Sequence, residues 1–151
     1  MRVMLAAEEQ TVRLGWVIGQ ATMSGSVIGL IGEVGSGKTT LAQAVLAAWQ
    51  VVGTAASPTY TLIHTYPHEI YHVDLYRLDE AQVADLGLDE LWTGSARAVV
   101  EWADRAPGLL PADALTVHLQ TANGGRTAQL AAGGPNARRA LHLVEQAWKR
   151  S

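Results

Sequence analysis

One octapeptide constrains this chain more than any other stretch. Residues 32–39 read Gly-Glu-Val-Gly-Ser-Gly-Lys-Thr and match the pattern G-x-x-x-x-G-K-[ST]. The short apolar run 27–31 precedes them, and an alanine-rich segment that favours helix, 40–49, follows. Between a strand and a helix, such glycines let the backbone curl until successive N–H groups and the positive helix end meet one anion. We therefore predict a phosphate-binding loop in which Lys38 reaches the β- and γ-phosphates of a nucleotide and Thr39 ligates Mg²⁺.

The composition is typical of a single compact domain over residues 1–151. Hydrophobic residues make up 48% and charged residues 17%, which excludes an intrinsically disordered chain. No apolar run approaches the roughly 18 to 20 residues of a membrane helix, and no export signal precedes Glu8. The absence of cysteine excludes disulfides and thiolate metal sites. We expect a cytoplasmic protein without membrane contact.

The number and type of charged residues limit the ligands and partners that this chain can bind directly. A net charge of -3 argues against a basic surface for nucleic acid, so a partner is expected to hold any RNA. Lysine is rare, since Lys38 and Lys149 are the only two. The isolated Lys38 indicates a site that needs a compact ammonium group and would reject a planar guanidinium.

Hydrophobic periodicity predicts alternating helices and strands. Four segments have helical spacing: 8–21, 40–49, 79–91 (one helix or two short ones, with an Asp79 N-cap) and 136–149. Three short apolar runs read as strands: 27–31, 70–74 and 98–101. Alternation and turn residues predict an antiparallel hairpin near the C-terminus, formed by 115–119 and 127–130. The pattern indicates an α/β fold, a three-layer P-loop NTPase domain with a mainly parallel central sheet.

Two carboxylates each follow a short apolar strand. Asp74 ends one strand and Glu101 ends the other. In an open parallel sheet, the carboxyl ends of the strands face the ligand crevice. One acid would hold Mg²⁺ directly or through water while the other orients the attacking water. The sequence by itself does not assign the two roles.

The stretch SPTYTLIHTY, residues 57–66, lies between the predicted loop helix and the Asp74 strand. Many P-loop proteins place there a switch segment that responds to the γ-phosphate and Mg²⁺. On this interpretation Pro58 stiffens the entry, and Thr59 or Thr61 offers a hydroxyl to the metal or its water. The alternative is an edge strand whose threonines serve β-propensity.

Other classes of P-loop protein fit less well. A GTPase needs an Asn-Lys-x-Asp motif, which Lys149 does not provide, and no D-x-x-G occurs. The Ser-Gly-Gly signature of transporter ATPases is absent too. A small-molecule kinase normally has a lid with several arginines, whereas the adjacent pair Arg138-Arg139 lies in the predicted terminal helix. The kinase interpretation stays open as an alternative.

Five stretches, taken in order, resemble the TsaE family: GEVGSGKTTL, SPTYTLIHTY, HVDLYRLDE, LGLDEL and VVEWADR. The resemblance runs from about Glu8 to Arg126. It implies a small cytoplasmic ATPase that uses ATP and Mg²⁺, releases ADP and binds the TsaB and TsaD proteins. Such a protein is needed for threonylcarbamoyladenosine formation on tRNA, at the adenosine next to the anticodon. It would meet tRNA only indirectly, as an accessory factor that keeps the modification cycle turning over.

Position by position, the resemblance also implies roles for individual residues. The phosphates would be held by Val34, Gly35, Ser36, Gly37, Lys38, Thr39 and Thr40. Thr39 and Glu101 would coordinate Mg²⁺, with Asp74 in the same site. The catalytic set would be Lys38, Asp74, Glu101 and Trp102. The adenine and ribose would be surrounded by Glu8, Thr11 and either Gly125 or Arg126.

Two functions compete with ATP hydrolysis: a nucleotide-gated adaptor that does not hydrolyse ATP, and the small-molecule kinase. No arginine finger is evident in the chain, although Arg77 is a candidate. Because a supplied finger raises the rate of phosphoryl transfer by about 10³ to 10⁵, we expect slow hydrolysis alone and faster hydrolysis with TsaB and TsaD.

Overall fold

The structure, a computed structural model, describes residues 1–51, 63–106 and 108–150. The strands in this part are Arg2–Leu5 (β1), Val27–Ile31 (β2), Ile63–Tyr66 (β3), Ile70–Asp74 (β4), Arg97–Glu101 (β5), Leu115–Ala122 (β6) and Gly125–Ala132 (β7). The α-helices are Glu8–Ala21 (α1), Lys38–Ala48 (α2), Glu80–Asp85 (α3) and Pro135–Lys149 (α4), and 3₁₀ turns lie at Leu88–Leu91 and Ala103–Arg105. In the described ranges no helix is long and apolar enough to cross a membrane.

The helices fall where periodicity predicts them, with two differences in their bounds. Helix α2 begins at Lys38 and not at Thr40, because Gly37 adopts a left-handed φ of 102° and leads the loop directly into the helix. The predicted segment 79–91 divides at Gly87, whose φ of 62° ends α3 and starts a 3₁₀ turn. Asp79 caps α3, and it forms a capping box with Gln82.

The seven described strands form one mixed sheet in the order β1-β7-β6-β2-β5-β4-β3. The four strands β6, β2, β5 and β4 run parallel to one another. The pairs β1–β7, β6–β7 and β3–β4 are antiparallel. The expectation of a mainly parallel sheet is therefore correct for the centre only, because antiparallel strands extend the sheet at both edges.

Of the two edge strands, the sequence does not predict β1 and predicts β3 only as the alternative to a switch segment. Each has four residues, too few for a clear alternation, and each is held by pairing with one neighbour. Strand β3 covers the last four residues of SPTYTLIHTY, which agrees with the edge-strand alternative for that part. Residues 57–62, including Thr59 and Thr61, lie outside the described residues, so the switch hypothesis stays a prediction.

Alternation along the central strands divides the apolar core between the two faces of the sheet. Ile28 and Leu30 pack on the side of α1, α2 and α4. Val27 points to the opposite side, where it packs with residues such as Val73 and Val83. Buried on both faces, the central strands read as continuous apolar runs, as expected for parallel strands.

The parallel pairing brings three chain segments to one edge of the sheet. Leu30 and Asp74 are both register partners of Glu101. The phosphate-binding loop leaves β2 just after Leu30 and Ile31, so it starts beside the ends of β4 and β5. This edge is where ligands bind in open α/β sheets.

A close contact between α1 and α2 fixes the helix that follows the loop. Two glycines of α1 face small residues of α2: a Cβ at Gly15 would lie 2.5 Å from Ala44 Cβ and 2.8 Å from the Leu41 carbonyl oxygen. A Cβ at Gly19 would lie 2.5 Å from Ala48 Cβ. The backbones therefore approach more closely than any side chain larger than hydrogen allows.

We predict that Gly15→Ala destabilises the chain although alanine is the better helix former. The added methyl group would overlap α2 backbone that cannot move aside freely, at a cost of about 1 to 3 kcal/mol in the free energy of unfolding. Gly94→Ala is the matched control, since no atom lies within 4 Å of the Cβ it adds. Urea denaturation of both variants measures the effect, and a Gly15→Ala variant as stable as the wild type would contradict the contact.

Candidate nucleotide-binding site

The phosphate-binding loop closes around the ammonium group of its own lysine. Lys38 Nζ donates hydrogen bonds to the carbonyl oxygens of Gly32 and Glu33, the latter at 2.8 Å, and approaches Ser36 Oγ at 3.4 Å. Gly32 has a φ of 156°, and a Cβ there would lie 2.6 Å from the Leu119 carbonyl oxygen. Glycine at this position is therefore required both by the backbone conformation and by the close strand behind it.

Lys38 is a buried cation that also contacts an aromatic face. Its side chain is 5% exposed, and Nζ lies 4.0 Å from the centre of the Trp102 ring. Burial lowers the pKa of Lys38 below its usual value, and the nearby carboxylates, Glu101 first and then Asp104, partly offset that effect. A desolvated ammonium gains more from an anionic ligand than a hydrated one, which favours phosphate at this position.

A chain of hydrogen bonds connects the loop helix to strands β5 and β4. Thr39 Oγ1 donates to Glu101 Oε1 at 2.8 Å. The other carboxylate oxygen, Glu101 Oε2, lies 2.6 Å from His72 Nε2. Glu101 and His72 are only 3% and 4% exposed. The carboxylate is therefore buried, and each of its oxygens has its own partner.

Asp74 and Trp102 complete the wall beside Glu101. Asp74 Oδ1 accepts a hydrogen bond from the Tyr76 backbone N–H at 3.0 Å. Trp102 has a φ of 59°, an uncommon conformation for a bulky residue, and its ring lies 4.8 Å from the Tyr76 ring. The turn after Glu101 thereby directs the indole ring back over the loop, where it meets Lys38.

These groups line a cavity of about 660 Å³, within the usual range for a small-molecule site. At its far end, Arg126 of β7 donates from Nη2 to the Gly35 carbonyl oxygen at 2.8 Å and so joins the β6–β7 turn to the loop. The cavity is lined by Leu5, Ala6, Ala7, Glu8, Thr11, Val34, Gly35, Gly37, Lys38, Thr39, Thr40, Asp74, Tyr76, Glu101, Trp102, Gly124, Gly125 and Arg126.

The residues present fit a nucleotide with a hard divalent cation. Thr39 and Glu101 supply oxygen atoms, the type of ligand that Mg²⁺ prefers. Over the described ranges no group of three or more His, Cys, Asp and Glu side chains forms a metal cage.

The family model described as "Threonylcarbamoyl adenosine biosynthesis protein TsaE" matches residues 5–128. The chain belongs to the TsaE family. A protein from Nostoc named "tRNA threonylcarbamoyladenosine biosynthesis protein TsaE" is 38% identical over 113 residues, 70% of each chain. One of the same name from Mycobacterium leprae is 39% identical over 124 residues, 74% of this chain and 77% of the relative. The family resemblance predicted from the five sequence stretches is thus confirmed.

A solved structure has the same fold. The crystal structure of YdiB from Bacillus subtilis superposes with a TM-score of 0.79 at 25% sequence identity, covering 99% of this chain and 95% of that one. The α/β architecture with its mixed sheet is therefore shared over nearly the whole chain.

The structure brings nearly all predicted site residues of this TsaE family member around one cavity. Ser36 is the exception, since it is fully buried and acts inside the loop, where its N–H donates to the Glu33 carbonyl oxygen at 3.1 Å. Arg77, the candidate arginine finger, is exposed and is not among the residues that line the cavity. The roles assigned to the individual lining residues stay predictions.

His72 is the site residue that the sequence analysis missed. It stands two positions before Asp74 in β4, and alternation places the two residues on the same face of the sheet. That alternation was the available signal, but the contact itself depends on β5 lying next to β4. On β3, the His64 ring lies 6.0 Å from the His72 ring. Among the described residues, His64 Nε2 and His72 Nδ1 are buried without a hydrogen-bond partner.

His64 is expected to make stability depend on pH. Burial lowers the pKa of His64 and neighbouring His72 lowers it further, while Asp74 opposes the change. Below the ordinary value of 6.5, the unfolded chain therefore binds more protons than the folded chain, and the free energy of unfolding decreases with acidification. Above that value the effect is absent.

We predict that His64→Gln flattens this dependence. Urea denaturation between pH 5 and pH 8 measures it, with His142→Gln on the exposed face of α4 as the control. The wild type and the His142→Gln variant should lose stability more steeply below pH 6.5 than the His64→Gln variant. Parallel curves for all three proteins would contradict the assignment.

Proposed function

We propose that this chain is a Mg²⁺-dependent ATPase that supports threonylcarbamoyladenosine formation on tRNA. The observation that carries the proposal is the 2.8 Å hydrogen bond from Thr39 to Glu101. It joins the first turn of the loop helix to an acid at the end of the neighbouring strand, the arrangement that holds the cation in P-loop NTPases. The names of the relatives supply the pathway, tRNA threonylcarbamoyladenosine biosynthesis.

The loop and Lys38 would bind the triphosphate. Successive N–H groups of the loop and the N-terminus of α2 provide a partial positive charge, and Lys38 adds a full one. Phosphoryl transfer needs little covalent chemistry from the protein, so catalysis is mainly the positioning of charge. The Trp102 ring over Nζ would keep the ammonium in place through a cation–π contact.

We propose different roles for the two acids on the basis of their contacts. Thr39 donates its hydroxyl hydrogen bond to Glu101, which leaves a lone pair of the hydroxyl oxygen for the cation, so we assign the metal side to Glu101. Asp74 keeps one oxygen on the Tyr76 N–H and lines the same cavity, so we assign it the attacking water. When bound, Mg²⁺ would neutralise charge that develops on the phosphate oxygens.

The site offers few cationic side chains that could stabilise the negative charge of the transition state. Of the described lining residues only Lys38 and Arg126 are cationic, and Arg126 is occupied by the Gly35 carbonyl oxygen. We therefore propose that activity is low in the isolated chain and is raised in a complex with TsaB and TsaD, the partners that the family resemblance implies. With a net charge of -3, the chain would meet tRNA through those partners, in the cytoplasm.

The first test separates binding from turnover. Glu101→Ala should keep ATP binding, because the loop and Lys38 remain, but lose hydrolysis by about 10² to 10³-fold, the usual effect of removing one preorganised electrostatic group. Lys38→Ala should lose binding itself. Asp89→Ala, an exposed acid outside the cavity, is the control. Calorimetric titration of ATP and a phosphate-release assay provide the two measurements.

The same variant distinguishes an enzyme from an adaptor. If Glu101→Ala supports full tRNA modification in a reconstituted reaction, hydrolysis is dispensable and the chain acts as a nucleotide-gated adaptor. If modification stops after few cycles while ATP stays bound, turnover is required.

The second test concerns the partners. Adding TsaB and TsaD to the wild-type chain should raise the rate of ATP hydrolysis at least about tenfold, since a partner-supplied cation alone is worth about 10³ to 10⁵ in related chemistry. The matched control adds the two proteins to the Lys38→Ala variant, which detects any ATPase they bring with them. Equal rates with and without the partners would exclude this mode of activation.

A further inference from the structure

Glu101 is held from two sides by partners that differ in how firmly they are anchored. On one side, Thr39 belongs to the first turn of the helix that would follow a bound phosphate. On the other side, His72 belongs to β4, a strand paired with β3 and β5. Only the His72 side is therefore fixed by the sheet itself.

The surroundings of His72 restrict its protonation and orientation. The ionised Glu101 carboxylate accepts hydrogen bonds and donates none, so the His72 nitrogen that faces it must carry a proton. The opposite nitrogen, Nδ1, is buried without a partner among the described residues. A buried N–H without an acceptor costs more than a bare lone pair, so the contacts favour the proton on Nε2, the nitrogen that faces Glu101.

We propose that His72 is a positioning residue that fixes the carboxylate plane of Glu101 for cation binding, a role that rests on the proposed Mg²⁺-dependent ATPase function. With Oε2 held by His72 Nε2–H, rotation about the last side-chain bond of Glu101 is blocked. Oε1 then stays directed to Thr39 and to the cavity. Groups that orient metal-binding carboxylates and histidines in this way typically change metal affinity or activity by about 10 to 100-fold when they are removed.

The alternative is that His72 only fills the core and satisfies a buried charge. Both roles predict some loss of stability on substitution, so stability does not separate them. The positioning role additionally predicts that ATP binding without Mg²⁺ is unchanged, because none of the described hydrogen bonds or ring contacts of Lys38 and the loop involves His72. It also predicts that the gain in affinity produced by Mg²⁺ is lost.

The experiment compares His72→Leu, which removes the donor, with His72→Gln, whose side-chain amide again offers an N–H at similar reach. The neighbouring His64→Gln is the matched control, since His64 lies beside His72 but outside the cavity lining. Affinity for a non-hydrolysable ATP analogue is measured with and without Mg²⁺ for each full-length protein. The Mg²⁺-dependent gain should fall about 10 to 100-fold in His72→Leu and recover to within about fivefold of the wild type in His72→Gln.

A spectroscopic measurement tests the contact in the ligand-free chain. Two-dimensional ¹⁵N–¹H NMR of the imidazole ring should assign the proton of His72 to Nε2 in the wild type. Glu101→Ala should abolish that preference, while Asp89→Ala should not. This measurement still tests the contact between His72 and Glu101 if the His72→Leu variant does not fold, because it uses the wild-type histidine.

The outcomes are distinguishable. A His72→Leu variant with the wild-type Mg²⁺ gain, or a wild-type His72 with its proton on Nδ1, overturns the positioning role and leaves the proposed function intact. A wild-type chain that binds the analogue with a Mg²⁺ gain but hydrolyses no ATP contradicts the ATPase, and the affinity comparison still tests His72. Absence of any Mg²⁺ gain in the wild type contradicts both.

Discussion

One hydrogen bond, from Thr39 to Glu101, joins segments that are 62 residues apart in sequence. It fixes the start of α2 against the end of β5, and the phosphate-binding loop is the segment between β2 and that helix. Because Glu101 is buried, its charge requires partners, and both oxygens have one. The position of the loop thus depends on a carboxylate that the sheet holds in place.

Burying the charged Lys38 side chain in this site costs the fold desolvation free energy. Its ammonium group is buried under Trp102, and burial lowers the pKa of Lys38 because the charged form is poorly solvated there. The loop carbonyl oxygens compensate in part by accepting its hydrogen bonds. Arrangements that destabilise the fold locally while preparing it for a charged ligand are common at functional sites.

The close packing of α1 on α2 holds α2 in place at the edge of the sheet where the loop and the ends of β4 and β5 meet. Gly15 and Gly19 let the two helices approach, so α2 packs against α1 as well as against the sheet. Thr11 of the same α1 lines the cavity, which places the first helix both in the support and in the site. On the side of the edge strand β3, His64 Nε2 and His72 Nδ1 are buried without a hydrogen-bond partner among the residues that the structure describes.

Hydrophobic periodicity and glycine spacing predicted those elements whose conformation depends on neighbouring residues in the sequence. Helices α1 and α4 and strands β2 and β4 follow from periodicity, and the glycine spacing of residues 32–39 predicted the loop. The edge strand β1 escaped prediction and β3 was predicted only as an alternative, since four residues that pair with a single neighbour carry almost no periodic signal. The antiparallel pairings of β1 with β7 and of β3 with β4 escaped prediction too, whereas alternation did predict an antiparallel hairpin where β6 and β7 lie.

By itself, the sequence indicated the family, the position of the predicted phosphate-binding loop and the two acids that follow short strands. The tertiary structure alone decided which strands are neighbours, and therefore that Glu101 is shared between Thr39 and His72. The physical reason is that a hydrogen bond needs its two atoms within about 3 Å, whereas strand order is set by burial of the whole sheet. No spacing along the chain encodes that adjacency.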